Sequence, residues 1–496
     1  MRTLKKKRGR KRGRTTAAPV LSARLNDRVT LEADAGGKIA ATFDGYSVQL
    51  GNFSAGAVKR AQGLRTGLPL ASFASARKQL DQEIALLVQR LAHRGLVEYR
   101  LARGDTDMVV IEPQQADYWP DVKKPRNTES VALSRFAYLR RRANDMVLES
   151  PRAGALFRIC DPTIASQLVA LSTPQKISRL RRLDDFAGLE LFALLLDCQI
   201  LFKVDAATSK GLRGDEGDEN LVLWDFHDLL FHVHSTEGRQ ANPLGGRYPY
   251  VDVIAPPPAV RPPWSGQAID LQKLASAPAE ALSPFARLLR ERHSERDFDD
   301  QEPIKLAELA QLLDSAARVQ SKWTSPLDFG DGGPDVDYTR RPYPSAGSAY
   351  ELELYLAVAN CEGLEPGFYH YDADRHAMAP IKVRTQELDA MFAGAEYAMD
   401  ALASPQILIT IAARFDRINW KYSAIAYSLI LKNVGVLLQT LYLTATDMDL
   451  GGCAVGTSNI ELFSKMTGLP FHVEGPVGLF ALGRGQAEAS SELPPA

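Results

Sequence analysis

Within five residues, Arg292-His293-Ser294-Glu295-Arg296 sets two guanidiniums, an imidazole and a hydroxyl. A guanidinium offers a planar fork of donors matched to phosphate oxygens, and a serine adds a short donor. On a loop, Arg292, His293, Ser294 and Arg296 can converge on one dianion; on a helix end they are a solvated polar surface. A second stretch, Pro342-Tyr343-Pro344-Ser345-Ala346-Gly347-Ser348-Ala349-Tyr350, precedes a strand expected over 351–359. The small residues Ser345, Gly347 and Ser348 let backbone approach a flat ring closely, and Pro344 stiffens the turn. Trp420-Lys421-Tyr422 follows an apolar strand over 407–412 and opens a long helix over 424–446. A lysine and a tyrosine at such a junction can reach a cleft, and burial would lower the lysine pKa toward that of a base. Gly451-Gly452-Cys453-Ala454-Val455-Gly456 is read as ending that helix with backbone amides free, donors that a heterocycle's oxygens could use. Gly483-Arg484-Gly485 closes a last strand over 477–482, from which Arg484 could reach the same anion as Arg292.

The elements that must position these groups form several domains, since 496 residues exceed one hydrophobic core. With 45% hydrophobic and 24% charged residues the composition is that of an ordinary globular protein. The longest apolar run, 191–204, is broken by Asp197 and too short to span a bilayer. No apolar segment follows the N-terminal charges, so a secretory signal is not expected and the chain reads as cytoplasmic. Cys160, Cys198, Cys361 and Cys453 show no CxxC spacing, and no metal is expected. His227, His232 and His234 cluster, the last two on one face if the segment is a strand, but lack a partner ligand set.

Residues 1–14 hold nine basic side chains and no acid, so the rest of the chain carries about −10 of the net −1. A run like this is expected to be disordered, as a solvated tail or an attractor of polyanions. The expected organisation is a basic arm over 1–19, small winged-helix-like domains over 20–120 and 121–240, a Pro-rich linker over 241–282 and a final domain over 283–490. In the first module, strands over 29–33 and 39–43 flank Gly36-Gly37. A helix over 80–91 then stops at His93-Arg94-Gly95 before a strand over 96–100. The second has a similar order, as two weak copies of one unit would, without a strict repeat.

In this order the motifs resemble the nitroreductase-like flavoenzymes. More closely, 342–350, Trp420-Lys421-Tyr422, Ala426-Tyr427 and Lys432-Asn433-Val434-Gly435 are similar to the SagB-type, ThcOx- and McbC-like azoline dehydrogenases. Gln439-Thr440-Leu441-Tyr442-Leu443, Cys453 to Gly456, Leu462-Phe463 and Thr467-Gly468-Leu469 continue the pattern. The resemblance covers about 283–486 and, more loosely, Trp224-Asp225-Phe226-His227-Asp228. It implies an α+β chain whose C-terminal FMN domain is a central antiparallel sheet flanked by helices. It also implies oxidation of thiazoline or oxazoline rings to thiazole or oxazole in a ribosomally made peptide. Carried over residue by residue, Lys421 and Tyr422 are the catalytic pair. Arg292, His293, Ser294, Arg296 and Arg484 hold the FMN phosphate. Ser345, Gly347 and Ser348 line the ring, and the backbone of Ala454, Val455 and Gly456 meets its pyrimidine edge. The implied partners are an azoline-containing precursor peptide, its leader held by the N-terminal modules through strand addition, a cyclodehydratase complex and a second copy of the chain. Neither a membrane nor nucleic acid is expected as partner.

Two departures stand out. Leu479 occupies a position that is usually acidic in the subfamily, and Arg484 stands where Ser or Asn is common. Two other functions fit parts of the sequence: an NAD(P)H-dependent nitro or quinone reductase on the same fold, and a flavin-sensing DNA-binding regulator using the basic arm. The Lys421-Tyr422 pair and the long N-terminal half weigh against the reductase. The absence of a basic recognition helix over 75–100 weighs against the regulator.

Overall fold

The computed structural model describes residues 18–236 and 252–485, apart from 35, 44–45, 74–77, 116–117, 184–185, 205–215, 217, 237–251, 264, 266, 268, 272–281, 328–332 and 402. The basic stretch 1–14 and much of the Pro-rich linker lie outside the described residues. The chain divides into two units, Met1–Val222 and Leu223–Ala496.

The first unit uses one topology twice. Strand β1 (Val20–Leu25) leads into a meander of β2 (Thr30–Ala33), β3 (Lys38–Phe43) and β4 (Tyr46–Asn52). Helix α1 (Ala55–Ala61), the short β5 (Leu68–Pro69), helix α2 (Gln79–Ala92) and strand β6 (Val97–Arg103) follow, and β7 (Thr106–Pro113) pairs back on β6. The second copy runs β8 (Ser130–Leu133), a meander of β9 (Tyr138–Arg142), β10 (Asp145–Glu149) and β11 (Ala155–Ile159), helix α3 (Thr163–Ala170) and β12 (Gln175–Lys176). It closes with α4 (Ile177–Leu180), α5 (Leu189–Asp197) and β13 (Leu201–Lys203). In the first copy β1 lies between β5 and β6; in the second, β8 lies between β12 and β13. The meanders differ in their outer partner: β11 pairs with β7, whereas β4 has no strand on its outer side among the described residues. Alternation explains the core. Ile84, Leu87, Val88 and Leu91 bury one stripe of α2 against Tyr99 and Leu101.

The second unit begins earlier than the composition suggests. Residues 223–236, expected to close the second small module, form α6 (Phe226–Ser235), capped by the Asp225 carboxylate on the His227 amide. Trp224, 1% exposed, donates its indole N–H to the His472 carbonyl at 2.8 Å. Asp228 accepts from the Tyr427 amide at 3.3 Å, and the His232 ring nitrogen meets the Tyr427 hydroxyl at 2.9 Å. The segment therefore packs within the C-terminal unit, because its aromatic side chains find their buried partners there.

Helix α7 (Pro284–Glu291) starts on the Ser283 cap with proline in its first turn. After it come β14 (Ile304–Lys305), α8 (Leu306–Ala317) and a separate ribbon of β15 (Ser321–Pro326) and β16 (Asp335–Arg340). The main sheet contains β17 (Leu352–Val358), β19 (Gly367–Asp372), β20 (Ala377–Ile381), β21 (Ile407–Arg414), β22 (Gly451–Val455) and β23 (Glu474–Gly483); β18 (Cys361–Glu362) pairs with β14. Its order is β20-β19-β17-β21-β23-β22, antiparallel throughout. Central β21, Ile-Leu-Ile-Thr-Ile-Ala-Ala-Arg, is buried along nearly its whole length, as a strand covered on both faces must be. Helices α9 (Thr385–Met399) and α12 (Ile460–Thr467) pack together on one face. Short α10 (Phe415–Asn419) leads to the long α11 (Ala426–Asp447), whose Val434 meets Gly478 on the other face. The fold is thus α+β with an antiparallel sheet between helices, as expected.

One polar residue inside α11 places the 342–350 turn. Asn433, 5% exposed, accepts from the Ala346 amide at 3.1 Å and donates to the Ser345 hydroxyl at 3.2 Å and the Glu351 carboxylate at 2.8 Å. Ser345 also donates to Glu351 at 3.2 Å and accepts from the Tyr350 amide at 3.0 Å. Burial pushes the Glu351 carboxyl above its ordinary range, opposed by the bonds from Asn433 and Ser345. Asn433→Ala would strand a buried carboxylate and a buried amide, at about 2–3 kcal/mol. The expected result is a thermal midpoint lowered by roughly 5–10 °C in calorimetry. Asn433→Asp should destabilise more as pH rises, because two facing carboxylates then ionise together, and less as pH falls and they share a proton.

Candidate functional site

The 342–350 turn is held in a conformation that few side chains tolerate. Gly347, Ser348 and Tyr350 have φ of 55°, 54° and 46°, and non-glycine residues in the left-handed region concentrate at functional sites. A Cβ on Gly347 would stand 2.5 Å from both the Lys421 Nζ and the Tyr422 hydroxyl. Only glycine lets these two groups close over the turn. Lys421 donates to the Gly347 carbonyl at 2.9 Å, fixing its amino group there. Arg417, on α10, donates to the Ala349 carbonyl at 2.9 Å and bonds the Asp337 carbonyl on β16. Lys421 is exposed rather than buried, so one chain does not provide the burial expected for it.

A second cluster forms where α7 ends. The Arg292 guanidinium lies 5.2 Å over the Tyr442 ring, and the Ser294 hydroxyl pairs with the Tyr442 hydroxyl at 2.9 Å. The same hydroxyl accepts from the Ala454 amide at 2.7 Å, and the Glu295 amide donates to the Gly452 carbonyl at 2.9 Å. His293 and Arg296 are exposed beside them. Arg292, His293, Ser294 and Arg296 therefore gather along the outer edge of β22. The run 451–456 is not the helix end expected from its glycines. Residues 451–455 are an edge strand paired with β23, and Gly452 is required because a Cβ would lie 2.4 Å from the Phe480 ring. Val455 is buried in the sheet, and Gly456 follows into open space.

Arg484 does not join this cluster. It pairs with both Glu308 oxygens at 2.9 and 3.1 Å and lies 3.7 Å from Glu302. Two acids compensate its charge, which explains an arginine at that departure. Leu479 lies on the sheet face opposite α11, 7% exposed in the core with Phe463, away from Lys421. His227, His232 and His234 sit on helix α6 and not on a strand, so His232 and His234, two apart, point to different sides.

The two clusters use α11 at different points. Asn433 anchors the turn and Tyr442 the arginine–serine cluster; nine residues separate them, about 14 Å along the axis and half a turn around it. One chain thus presents the halves on opposite sides of one helix. Sequence reading missed Asn433, Glu351, Arg417 and Tyr442 as positioning groups. The available signal was an asparagine embedded in the apolar periodicity of α11, where a polar residue needs partners.

A family model for the cyanobactin oxidase ThcOx matches residues 131–241, and the nitroreductase family model matches 289–484. A nitroreductase-family protein of Methanocaldococcus jannaschii is 30% identical over 169 residues, 34% of this chain and 76% of that protein. The microcin B17-processing protein McbC of Escherichia coli is 30% identical over 122 residues, 24% of this chain and 44% of McbC. Among solved structures, the E. coli microcin synthetase McbBCD complex with truncated pro-MccB17 is 21% identical at a TM-score of 0.38, over 53% of this chain and 96% of the matched one. A Desulfovibrio desulfuricans nitroreductase-type protein in complex with FMN is 14% identical at 0.28, over 43% and 94%. The chain is an oxidoreductase that belongs to the nitroreductase family, and the ThcOx and McbC matches set it beside the SagB-type members.

Proposed function

We propose that this protein is an FMN-dependent dehydrogenase that converts thiazoline or oxazoline rings of a ribosomally made peptide to thiazole or oxazole. The carrying observation is the convergence of Lys421 and Tyr422 on Gly347. It sets an amine and a phenol together over bare backbone. The similarity to McbC and to the ThcOx family supports the same reading.

The chain's residues fit FMN. Arg292, His293, Ser294 and Arg296 offer phosphate donors, Gly347 leaves room for Lys421 and Tyr422 to approach the turn, and Ala454, Val455 and Gly456 follow the edge strand beside that arginine–serine cluster. Bound FMN supplies the two-electron acceptor that takes a hydride from the azoline methylene. The protein's work is to remove the proton from the carbon beside the ring nitrogen. Lys421, as the neutral amine that can accept this proton or as a polariser, stands with Tyr422 as proton relay for that transfer, with Lys421 oriented by the Gly347 carbonyl. Arg417 and Asn433 hold the turn against which both act. The ring leaves as an aromatic azole, two hydrogens lighter.

A homodimer would complete the site. The two clusters face opposite sides of α11, so a second copy can set its turn against the first copy's arginine–serine cluster. Helix α11 is apolar enough to cross a bilayer, yet only a third of its apolar stretch is buried within the chain. Leu431 and Val436, 37% and 36% exposed, flank Gly435, beside which a Cβ would meet nothing. That is the surface a partner would cover.

The precursor's leader would bind the first N-terminal module, in association with a cyclodehydratase. The internal duplication supports one edge: β11 is paired by β7, while the equivalent edge of β4 carries no strand among the described residues. Hydrogen exchange with added leader peptide should slow at the 47–49 amides and leave β2 unchanged. Protection at β2 alone, or none, would contradict strand addition at β4.

Mass spectrometry of an azoline-bearing peptide should show loss of two hydrogens per ring with the flavin-loaded protein. Lys421→Ala should slow this on the order of 10²–10⁴-fold. Gly347→Ala, which pushes both groups aside, should be comparably impaired in turnover per bound flavin. An unchanged mass in the wild type, or an unchanged rate in Lys421→Ala, counts against the assignment.

A further inference from the structure

The ribbon β15–β16 carries an aromatic pair that the reaction itself does not use. Trp323 and Tyr338 are cross-strand partners, stacked with centroids 5.6 Å apart and planes 16° from parallel. The Lys421 ammonium lies 5.8 Å from the Tyr338 ring centre. Trp323 is 46% exposed, so Tyr338 covers part of the indole while much of it stays open to solvent. The ribbon is not free to drift: Arg417 joins the Asp337 carbonyl, next to Tyr338, to the Ala349 carbonyl of the Gly347 turn. The indole thus sits one ring further out from Lys421 than Tyr338, on a support tied to the catalytic turn.

We infer that the Trp323–Tyr338 stack is a platform for a flat aromatic azole ring of the same peptide, a few residues from the ring being oxidised. This rests on the azoline reading above and adds to it a preference for product rings beside the substrate ring. An extended peptide advances about 3.4 Å per residue, so a ring two or three residues away reaches the indole. A thiazole or oxazole is planar with a π face on both sides. An azoline keeps sp³ carbons with hydrogens above and below its plane, and stacks less well. A platform with this bias holds a peptide more tightly once one ring has been oxidised, which favours oxidation of successive rings in order.

Binding and turnover test this separately. Equilibrium titration of the flavin-loaded protein would use two synthetic peptides of one sequence, one with a thiazole beside a thiazoline and one with two thiazolines. The wild type should bind the thiazole-bearing peptide about three- to tenfold more tightly. Trp323→Ala should erase the difference and raise KM for that peptide far more than it lowers kcat. Trp323→Phe, which keeps a π face, should restore most of it. Equal affinities in the wild type, or a preference that survives Trp323→Ala, would overturn the platform. Oxidation with no preference would leave the dehydrogenase standing without the platform. A Trp323-dependent preference without oxidation would keep the platform and remove the redox assignment.

Discussion

The site depends on a single buried amide. Asn433 lies in an otherwise apolar helix, and its side chain can be satisfied only if residues 345–351 come to it in one conformation. A buried polar group has few ways to find partners, so it specifies geometry more sharply than an apolar contact of the same area. The conformation it selects puts Gly347 and Ser348 in the left-handed region, and that places the Gly347 carbonyl under Lys421. The strain of the turn is therefore held by hydrogen bonds from α11 and from Arg417, together with those of Ser345 within the turn.

The C-terminal unit was legible in the sequence to an unusual degree, for reasons visible in its packing. Strand β21, read from its continuous apolar run, is apolar because both faces are covered, and the antiparallel sheet between helices was implied by the family resemblance. Lys421, Tyr422 and the Gly347 turn were each picked out by the family resemblance, but that they meet was not read from the sequence. What could not be read locally was decided by distant partners. The glycines of 451–456 suggest a helix stop, but Gly452 is set by the Phe480 ring across the strand pair. Arg484 has the chemistry of a phosphate ligand, but Glu308 and Glu302 lie beside it. Residues 223–236 follow the second module in sequence, yet Trp224 and His232 are buried against Phe415 and Tyr427.

The duplicated N-terminal unit was harder to read because its copies share topology and not sequence. The strands β1 and β8 were not read from the sequence, and the meanders are half exposed, so their patterns are weak. Once the strands are paired, the difference between the copies is informative. One meander is closed by a strand from its neighbour and the other carries none on that side among the described residues, and an unpaired edge in a natural protein calls for a reason.

The most direct test of the account is a comparison of reductants under anaerobic conditions, following the absorbance of the bound flavin. If Lys421, Tyr422 and the Gly347 turn form a site for azoline oxidation, an azoline-bearing peptide will bleach the oxidised flavin in a single turnover, and NADH or NADPH will do so far more slowly. Rapid bleaching by a reduced nicotinamide with no response to the peptide would contradict it, and would make the chain a general reductase built on the same fold.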